Sequence, residues 1–309
     1  MGKFCLFILL IAIRCLAFAS NVSTPVPFVL PNTEVQELHA TNLNRDYQLY
    51  VALPKSYGSG RQSYPVVFVT DAPYAFPVAA SIGAFVARHS KDLPEFILIG
   101  LSYAKGDTAE FSRRRDYTPS QIVGGSFVGN RLTSDMPGRA PIFGEAEGYR
   151  RFLADEVFPF VASHYRADMT HKILAGHSYG SLFGAYVMLT DPAMFDGYVL
   201  GSPSLWYDDH LLFAREREFA ATHKRLAARV YIGVGSFEAI APKNRPHDTR
   251  YNTEGDMVAD ATAFAHALSS HHYADLHLRS EIIPEENHLT VAPILLTRGL
   301  LWTLGGIRQ

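Results

Sequence analysis

Ser178 stands between two glycines in the stretch Ala-Gly-His-Ser-Tyr-Gly-Ser-Leu-Phe-Gly, residues 175–184. The spacing G-x-S-x-G suits a hydroxyl carried on a tight strand-to-helix turn, with the glycines allowing close approach and the Oγ left exposed. A hydroxyl is a weak nucleophile until a base takes its proton, so a histidine must come from elsewhere in the chain. His288, in Glu-Ile-Ile-Pro-Glu-Glu-Asn-His-Leu-Thr-Val, follows the final predicted strand, where a chain with this kind of turn keeps its base. The other histidines are worse placed. His271 and His272 precede that strand, His177 adjoins the serine at a poor angle for taking its proton, and His210, His247 and His266 fall in two loops and on a helix face.

A third group must hold the imidazole tautomer and stabilise the imidazolium formed during attack. In chain order it belongs between Ser178 and His288. Glu238, which ends the apolar run Arg-Val-Tyr-Ile-Gly-Val-Gly-Ser-Phe-Glu, is the first choice. Asp208 and Asp209 are the main alternatives, with Asp248 and Asp256 behind them. An oxyanion needs two backbone N–H donors, one from Tyr179 after the serine and one from the turn Thr-Asp-Ala-Pro-Tyr-Ala-Phe at 70–76. Pro73 has no N–H, which leaves Ala72 or Tyr74. Together these residues would carry acyl transfer through an acyl-serine, and that chemistry needs no cofactor. His271-His272 and Asp208-Asp209-His210 lack third and fourth ligands at suitable spacing, so no metal is expected.

The elements that must position these groups are legible in the hydropathy. Residues 45–54 alternate apolar and polar, as a half-buried strand does, and would pair antiparallel with 35–39. Continuous apolar runs at 65–71 and 95–103 read as strands buried on both faces. Further strands are predicted at 172–176, 197–201, 229–234 and 276–283, making eight. Helical periods intervene at 75–90, at 146–161 with Pro159 as a kink, after Ser178, and at 254–270. This pattern predicts an α/β fold with a mostly parallel sheet covered by helices on both faces. Residues 118–144, rich in Gly and Ser, have no clear period and read as an insertion near one end of the sheet.

Residues 1–19 stand apart. Lys3 precedes an apolar run at 4–13, and Ala17-Phe18-Ala19 is a small-x-small cleavage site, the pattern of a secretory signal peptide. An uncleaved anchor is the alternative, although the run is short for a span and Arg14 interrupts it. Cleavage predicts a periplasmic or secreted domain of residues 20–309 without stable membrane insertion. It would contain no cysteine, because Cys5 and Cys15 both leave with the leader. Loss of Lys3 and Arg14 takes the formal net charge from −2 to −4, which gives no sign of nucleic-acid binding.

Seven pieces in order, between about residues 45 and 304, resemble the "putative esterase" family of α/β-hydrolases. They are Tyr-Pro-Val-Val-Phe-Val-Thr-Asp-Ala, Arg-Arg-Arg-Asp-Tyr-Thr-Pro, Gly-Tyr-Arg-Arg-Phe-Leu-Ala-Asp-Glu-Val-Phe-Pro-Phe-Val, the serine stretch, Gly-Ser-Pro-Ser-Leu-Trp-Tyr-Asp-Asp, Val-Tyr-Ile-Gly-Val-Gly-Ser-Phe-Glu and Glu-Glu-Asn-His-Leu-Thr-Val. The family includes esterase D, enterochelin and bacillibactin esterases, some feruloyl esterases and mycolyltransferases. The resemblance implies an α/β-hydrolase fold, ester hydrolysis through an acyl-serine, and Ser178, Glu238 and His288 at the triad positions. Ser181 and Ala72 depart from it, each standing where the family often has glycine.

Ser-Pro-Ser-Leu-Trp and Arg-x-Asp-Tyr-Thr-Pro are similar to the siderophore-esterase branch and imply a small-molecule ester, a trilactone siderophore in ferric form. Arg113, Arg114 and Arg115 would then grip an anionic ligand, or else form a solvated basic loop. Trp206 and Tyr207 would wall the cleft, or else fill core space. Two other functions stand beside hydrolysis: acyl transfer of the mycolyltransferase type, which predicts a long apolar acyl channel, and ligand binding by a protein that kept the fold without turnover.

Overall fold

In the computed structural model the described residues are 26–89, 91–121, 134–244, 246–252 and 255–305. The predicted leader and the middle of the 118–144 insertion lie outside them. The alternating segment forms β2 (Arg45–Ala52), with Tyr47, Leu49 and Val51 buried, and it pairs antiparallel with β1 (Thr33–Ala40). It also pairs antiparallel with β4 (Ile97–Ala104). From there the sheet is parallel through β3 (Tyr64–Val69), β5 (Ala167–His177), β6 (Gly197–Gly201), β7 (Arg225–Gly235) and β8 (Ala274–Ile283). The order is β1-β2-β4-β3-β5-β6-β7-β8, eight strands as expected. Strands β5 and β7 begin earlier than their apolar runs, because their first residues lie at the rim with many side chains partly or fully exposed.

The continuous apolar runs have a direct cause. In β3, Val66 and Phe68 enter one core while Val67 and Val69 enter the other. Helices α1 (Ala72–Ile82) and α8 (Ala292–Gly305) cover the second face. The first is covered by α3 (Ala146–Phe152), α4 (Phe158–His164), α5 (Tyr179–Thr190), α6 (Tyr207–Thr222) and α7 (Met257–Ser270). A strand with apolar neighbours above and below has no polar phase to display.

Three local expectations change. The helix predicted from residue 75 starts at Ala72, because Pro73 fits the first turn, where its missing N–H has no helical acceptor. The helix predicted across 146–161 is divided by a π-type turn at 153–157, just ahead of Pro159, whose absent N–H cannot bond back four residues. The arginine triplet belongs to a helix, α2 (Ala109–Asp116), rather than a solvated loop. Thr108 caps it by accepting from Phe111 N at 3.2 Å, and Glu110 pairs with Arg114 one turn on at 2.8 Å. No helix among the described residues is long and apolar enough to cross a membrane.

Candidate active site

Strand β5 ends at His177 and α5 begins at Tyr179, so Ser178 is the whole connection. Its backbone adopts φ 59°, ψ −119°, a strained conformation for a residue with a Cβ, and such strain persists only where the surroundings impose it. The glycines on either side explain how. A Cβ on Gly176 would lie 2.4 Å from the Gly180 carbonyl carbon, and one on Gly180 would lie 2.2 Å from Thr70 Oγ1. Ser178 N donates to Gly201 O at 2.9 Å, and Ser181 Oγ donates to the same carbonyl at 2.8 Å. The Ser181 departure from glycine thus adds a second tie to the end of β6.

Glu238 closes a short turn after β7 and is 1% exposed. Both of its oxygens are engaged. Oε1 accepts from Ser202 Oγ and from Gly235 N, each at 2.7 Å, and Oε2 accepts from His288 Nδ1 at 2.6 Å. With Nδ1 donating, Nε2 of a neutral imidazole is the acceptor. His288 is held in a turn that Asn287 organises, its Oδ1 accepting from Leu289 N at 2.9 Å and Thr290 N at 3.2 Å. Ser178 Oγ is hydrogen-bonded to Ser204 Oγ at 3.3 Å, and Ser178 and His288 line the same two cavities.

The alternative acids and bases lie in other roles. Asp208 accepts from Ser120 Oγ at 2.5 Å, Asp209 is exposed, Asp248 pairs with Arg250, and Asp256 caps α7 through Ala259 N. His210 pairs with Asp260 and His271 with the buried Glu216. His247 and His272 are exposed. His177 has a neighbour that its sequence position did not reveal: its ring centroid lies 4.5 Å from that of His288. Burial above all, with His288 and Arg113 nearby, pushes the His177 pKa well below the usual imidazole value and keeps it neutral.

Ala72 and Tyr179 are the first residues of α1 and α5, where amides have no intrahelical acceptor. Tyr74 N donates to Asp71 O at 3.1 Å, which leaves Ala72 as the donor candidate in that turn. The turn is fixed by Asp71, fully buried with φ 58°. Its Oδ1 accepts from Arg113 Nε at 2.8 Å and Tyr103 OH at 2.9 Å, and its Oδ2 accepts from Tyr74 OH at 3.3 Å. Burial is the largest influence on the Arg113 charge and opposes it, but Asp71, Tyr74, Tyr103 and Glu110 together outweigh burial and raise the guanidinium pKa. Burial first and Asp71 second push both tyrosine hydroxyls above their usual range. This cluster was not legible in the sequence, because its members come from the start of α1, from β4 and from α2.

Of the expected ligand contacts, Arg113 lines both cavities and Trp206 lines one. Arg115 does neither. It is 1% exposed, bound to Asp107 at 2.6 Å and Asp116 at 2.7 Å, and it is corrected to a buried structural cation. The helix explains the split: residues two apart point about 200° apart, so Arg115 is turned away from the cavities while Arg113 and Arg114 both line the polar one. Arg250, from the basic segment after Glu238, lines the polar cavity with Tyr251 and Asn252. Tyr207 is buried, its OH donating to Ser120 O at 2.6 Å. No cluster of three or more His, Cys, Asp and Glu among the described residues could hold a metal ion.

The family model described as "Putative esterase" matches residues 40–279. The chain is 25% identical to the ferri-bacillibactin esterase BesA of Bacillus subtilis (strain 168) over 293 residues, covering 92% of this chain and 94% of that one. It is 24% identical to the siderophore triacetylfusarinine C esterase of Aspergillus fumigatus over 292 residues, covering 89% and 94%. The fold is similar to that of the BES protein from Bacillus cereus, with a TM-score of 0.75 at 22% identity, over 91% of this chain and 99% of that one. With a family match over most of its length and a strained serine on the strand-to-helix turn, the chain belongs to the "Putative esterase" family of α/β-hydrolases and is a carboxylic ester hydrolase.

Proposed function

We propose that the protein hydrolyses siderophore-type esters with Ser178 as nucleophile, His288 as general base and acid, and Glu238 as the group that orients the imidazole. The observation that carries this reading is the 2.6 Å bond from His288 Nδ1 to a buried, fully engaged Glu238 carboxylate, beside a serine in a strained turn. His288 Nε2 takes the Ser178 Oγ proton as Oγ bonds to the ester carbonyl carbon. The oxyanion forms against the Tyr179 and Ala72 N–H groups. The C–O bond to the alcohol then breaks, and the leaving oxygen receives the proton from His288. Water, deprotonated by the same nitrogen, attacks the acyl-serine; the bond between the acyl carbon and Ser178 Oγ breaks, His288 returns the proton to Oγ, and the acid leaves.

Two relatives named for siderophore esters support the substrate class. The polar cavity of ≈ 680 Å³, lined by Arg113, Trp206, Arg250 and Tyr251, has room and aromatic surface for such a ligand. The test is turnover of p-nitrophenyl acetate and of a ferric catecholate trilactone by wild type and Ser178→Ala. Turnover lost in the variant supports a serine esterase. Preference for the trilactone supports the siderophore assignment, and indifference to it would remove that assignment.

Acyl transfer shares every step as far as the acyl-serine, and the apolar cavity beside Ser178 favours it as a second reading. Product analysis with an added sugar or lipid alcohol separates the two. Residues 1–19 are proposed to direct export to the periplasm or beyond, and the leader composition supports that. A mature protein beginning at Ser20 outside the cytoplasm is the expected result, and a retained Met1 the opposing one.

A further inference from the structure

The segment that follows β6 touches two of the three residues assigned to the reaction. Ser202 and Ser204 are both buried, and each keeps its hydroxyl in use. Ser202 Oγ donates to Glu238 Oε1 at 2.7 Å, and Ser204 Oγ is paired with Ser178 Oγ at 3.3 Å. Pro203 stands between them and stiffens the segment through its fixed φ. Backbone bonds hold both ends, Ser202 N donating to Gly233 O at 2.7 Å and Ser204 N to Ser178 O at 3.4 Å. Ser202 has φ 42°, a strained value for a residue with a Cβ, which persists only where the surroundings impose it. Ser204 lines the polar cavity together with Ser178, Tyr179 and His288, and does not line the apolar one.

We propose that Ser204 is a further catalytic residue, whose hydroxyl donates to Ser178 Oγ as that oxygen leaves the acyl carbon. The inference rests on the reading of Ser178 as the nucleophile of an ester hydrolase. In the free enzyme either hydroxyl can donate in the 3.3 Å pair. In the acyl-serine Oγ carries no hydrogen, so the contact survives only with Ser204 as donor. That ester oxygen is a poor acceptor, because its lone pair is drawn toward the carbonyl. After water has added to the acyl carbon, the bond from that carbon to Oγ breaks. The electron pair stays on Oγ, which takes its proton from His288. A hydroxyl donating to an oxygen that gains negative charge makes a shorter bond, about twice as strong as a neutral one. The interaction is therefore stronger in the transition state of deacylation than in the acyl-enzyme, which is the condition for raising a rate. Acylation gains less, since the free serine already makes the contact.

Stopped-flow hydrolysis of p-nitrophenyl acetate by the full protein separates the two half-reactions. The initial burst of p-nitrophenolate reports acylation and counts active sites, and the linear phase reports deacylation. In Ser204→Ala the linear rate per active site should fall about 10- to 100-fold, as loss of a charged hydrogen bond does, while acylation changes less than about threefold. The burst should then stand out more sharply than in wild type, with kcat and KM falling together and kcat/KM nearly unchanged. Acid-quenched variant should carry an acetyl group on Ser178. Misfolding would lower the burst amplitude but not the ratio of the two rates. Ser202→Ala is the control for the segment. It weakens the support of Glu238, and through it His288, which serves both half-reactions, so both phases should slow together. Equal slowing of both phases in Ser204→Ala, or an unchanged linear rate, would overturn the role of Ser204 and leave the esterase reading standing. Absence of any Ser178-dependent release of p-nitrophenolate would overturn the esterase reading, and the role of Ser204 with it.

Discussion

The ring of His177 lies against that of His288, with centroids 4.5 Å apart and planes at 42°, while His177 Nε2 is shut off from solvent without a hydrogen-bond partner among the described residues. A cation at that position would lie against the His288 ring and would be poorly solvated. Its pKa is accordingly far below the ordinary value, with burial as the first cause.

This relationship fixes the sign of a pH dependence. The unfolded chain binds a proton at His177 near pH 6.5, whereas the folded chain resists it to much lower pH. Between those limits the unfolded state carries more protons, so stability is full above about pH 6.5 and falls as the pH drops. The slope from this one group is at most about 1.4 kcal/mol per pH unit. Urea midpoints from pH 5 to 8 should show His177→Gln with a shallower acid limb than wild type. Equal limbs would refute the assignment.

Replacing Glu238 with Gln leaves a single neutral oxygen, which can serve either Ser202 Oγ and Gly235 N or His288 Nδ1, while the amide NH2 faces the other side. The imidazole then loses both its enforced tautomer and the charge opposite its protonated form. A fall in kcat of about 10²- to 10⁴-fold with little change in KM is expected from steady-state kinetics. A variant with near-wild-type kcat would mean that the carboxylate only supports the turn.

The glycines of the elbow should respond in graded fashion to alanine. At Gly180 and Gly176 the new methyl would meet atoms at 2.2 Å and 2.4 Å, whereas at Gly201 the nearest atom would be the Gly176 carbonyl oxygen at 3.2 Å. The first two changes should cost upward of about 2 kcal/mol, as overpacking does, and displace Ser178. Gly201→Ala should cost less. Thermal melts of the three variants check the order.

Arg113 and Arg115 should separate cleanly on substitution. Arg115→Met leaves Asp107 and Asp116 without their shared cation and is expected to destabilise the fold by roughly 3–5 kcal/mol. Arg113→Met removes a donor from Asp71 and a side chain that lines both cavities, so KM and kcat should change as well. Comparable KM values and large stability losses in both variants would place Arg113 in the scaffold too.

Much of this protein was decided locally and could be read along the chain. The G-x-S-x-G spacing between an apolar run and a helical period identified Ser178, because a strand-to-helix turn of this tightness needs glycines on both sides. The order of strands pointed to His288 and Glu238, which the fold brings within 2.6 Å of each other, because residues at the same end of a parallel sheet follow strand ends in sequence. The continuous runs at 65–71 and 95–103 announced strands with two buried faces, and β3 and β4 have them. Tertiary structure alone decided the rest. Which of three adjacent arginines faces the cavities depends on the rotation of α2 against the sheet, and hydropathy carries no trace of it. The Asp71 cluster joins three elements, and the contact of His177 with His288 joins residues over a hundred positions apart. The apolar and polar cavities are likewise made by gaps between helices and loops distant in sequence. Periodicity reports which face of an element is buried, and it is silent about the neighbour that buries it.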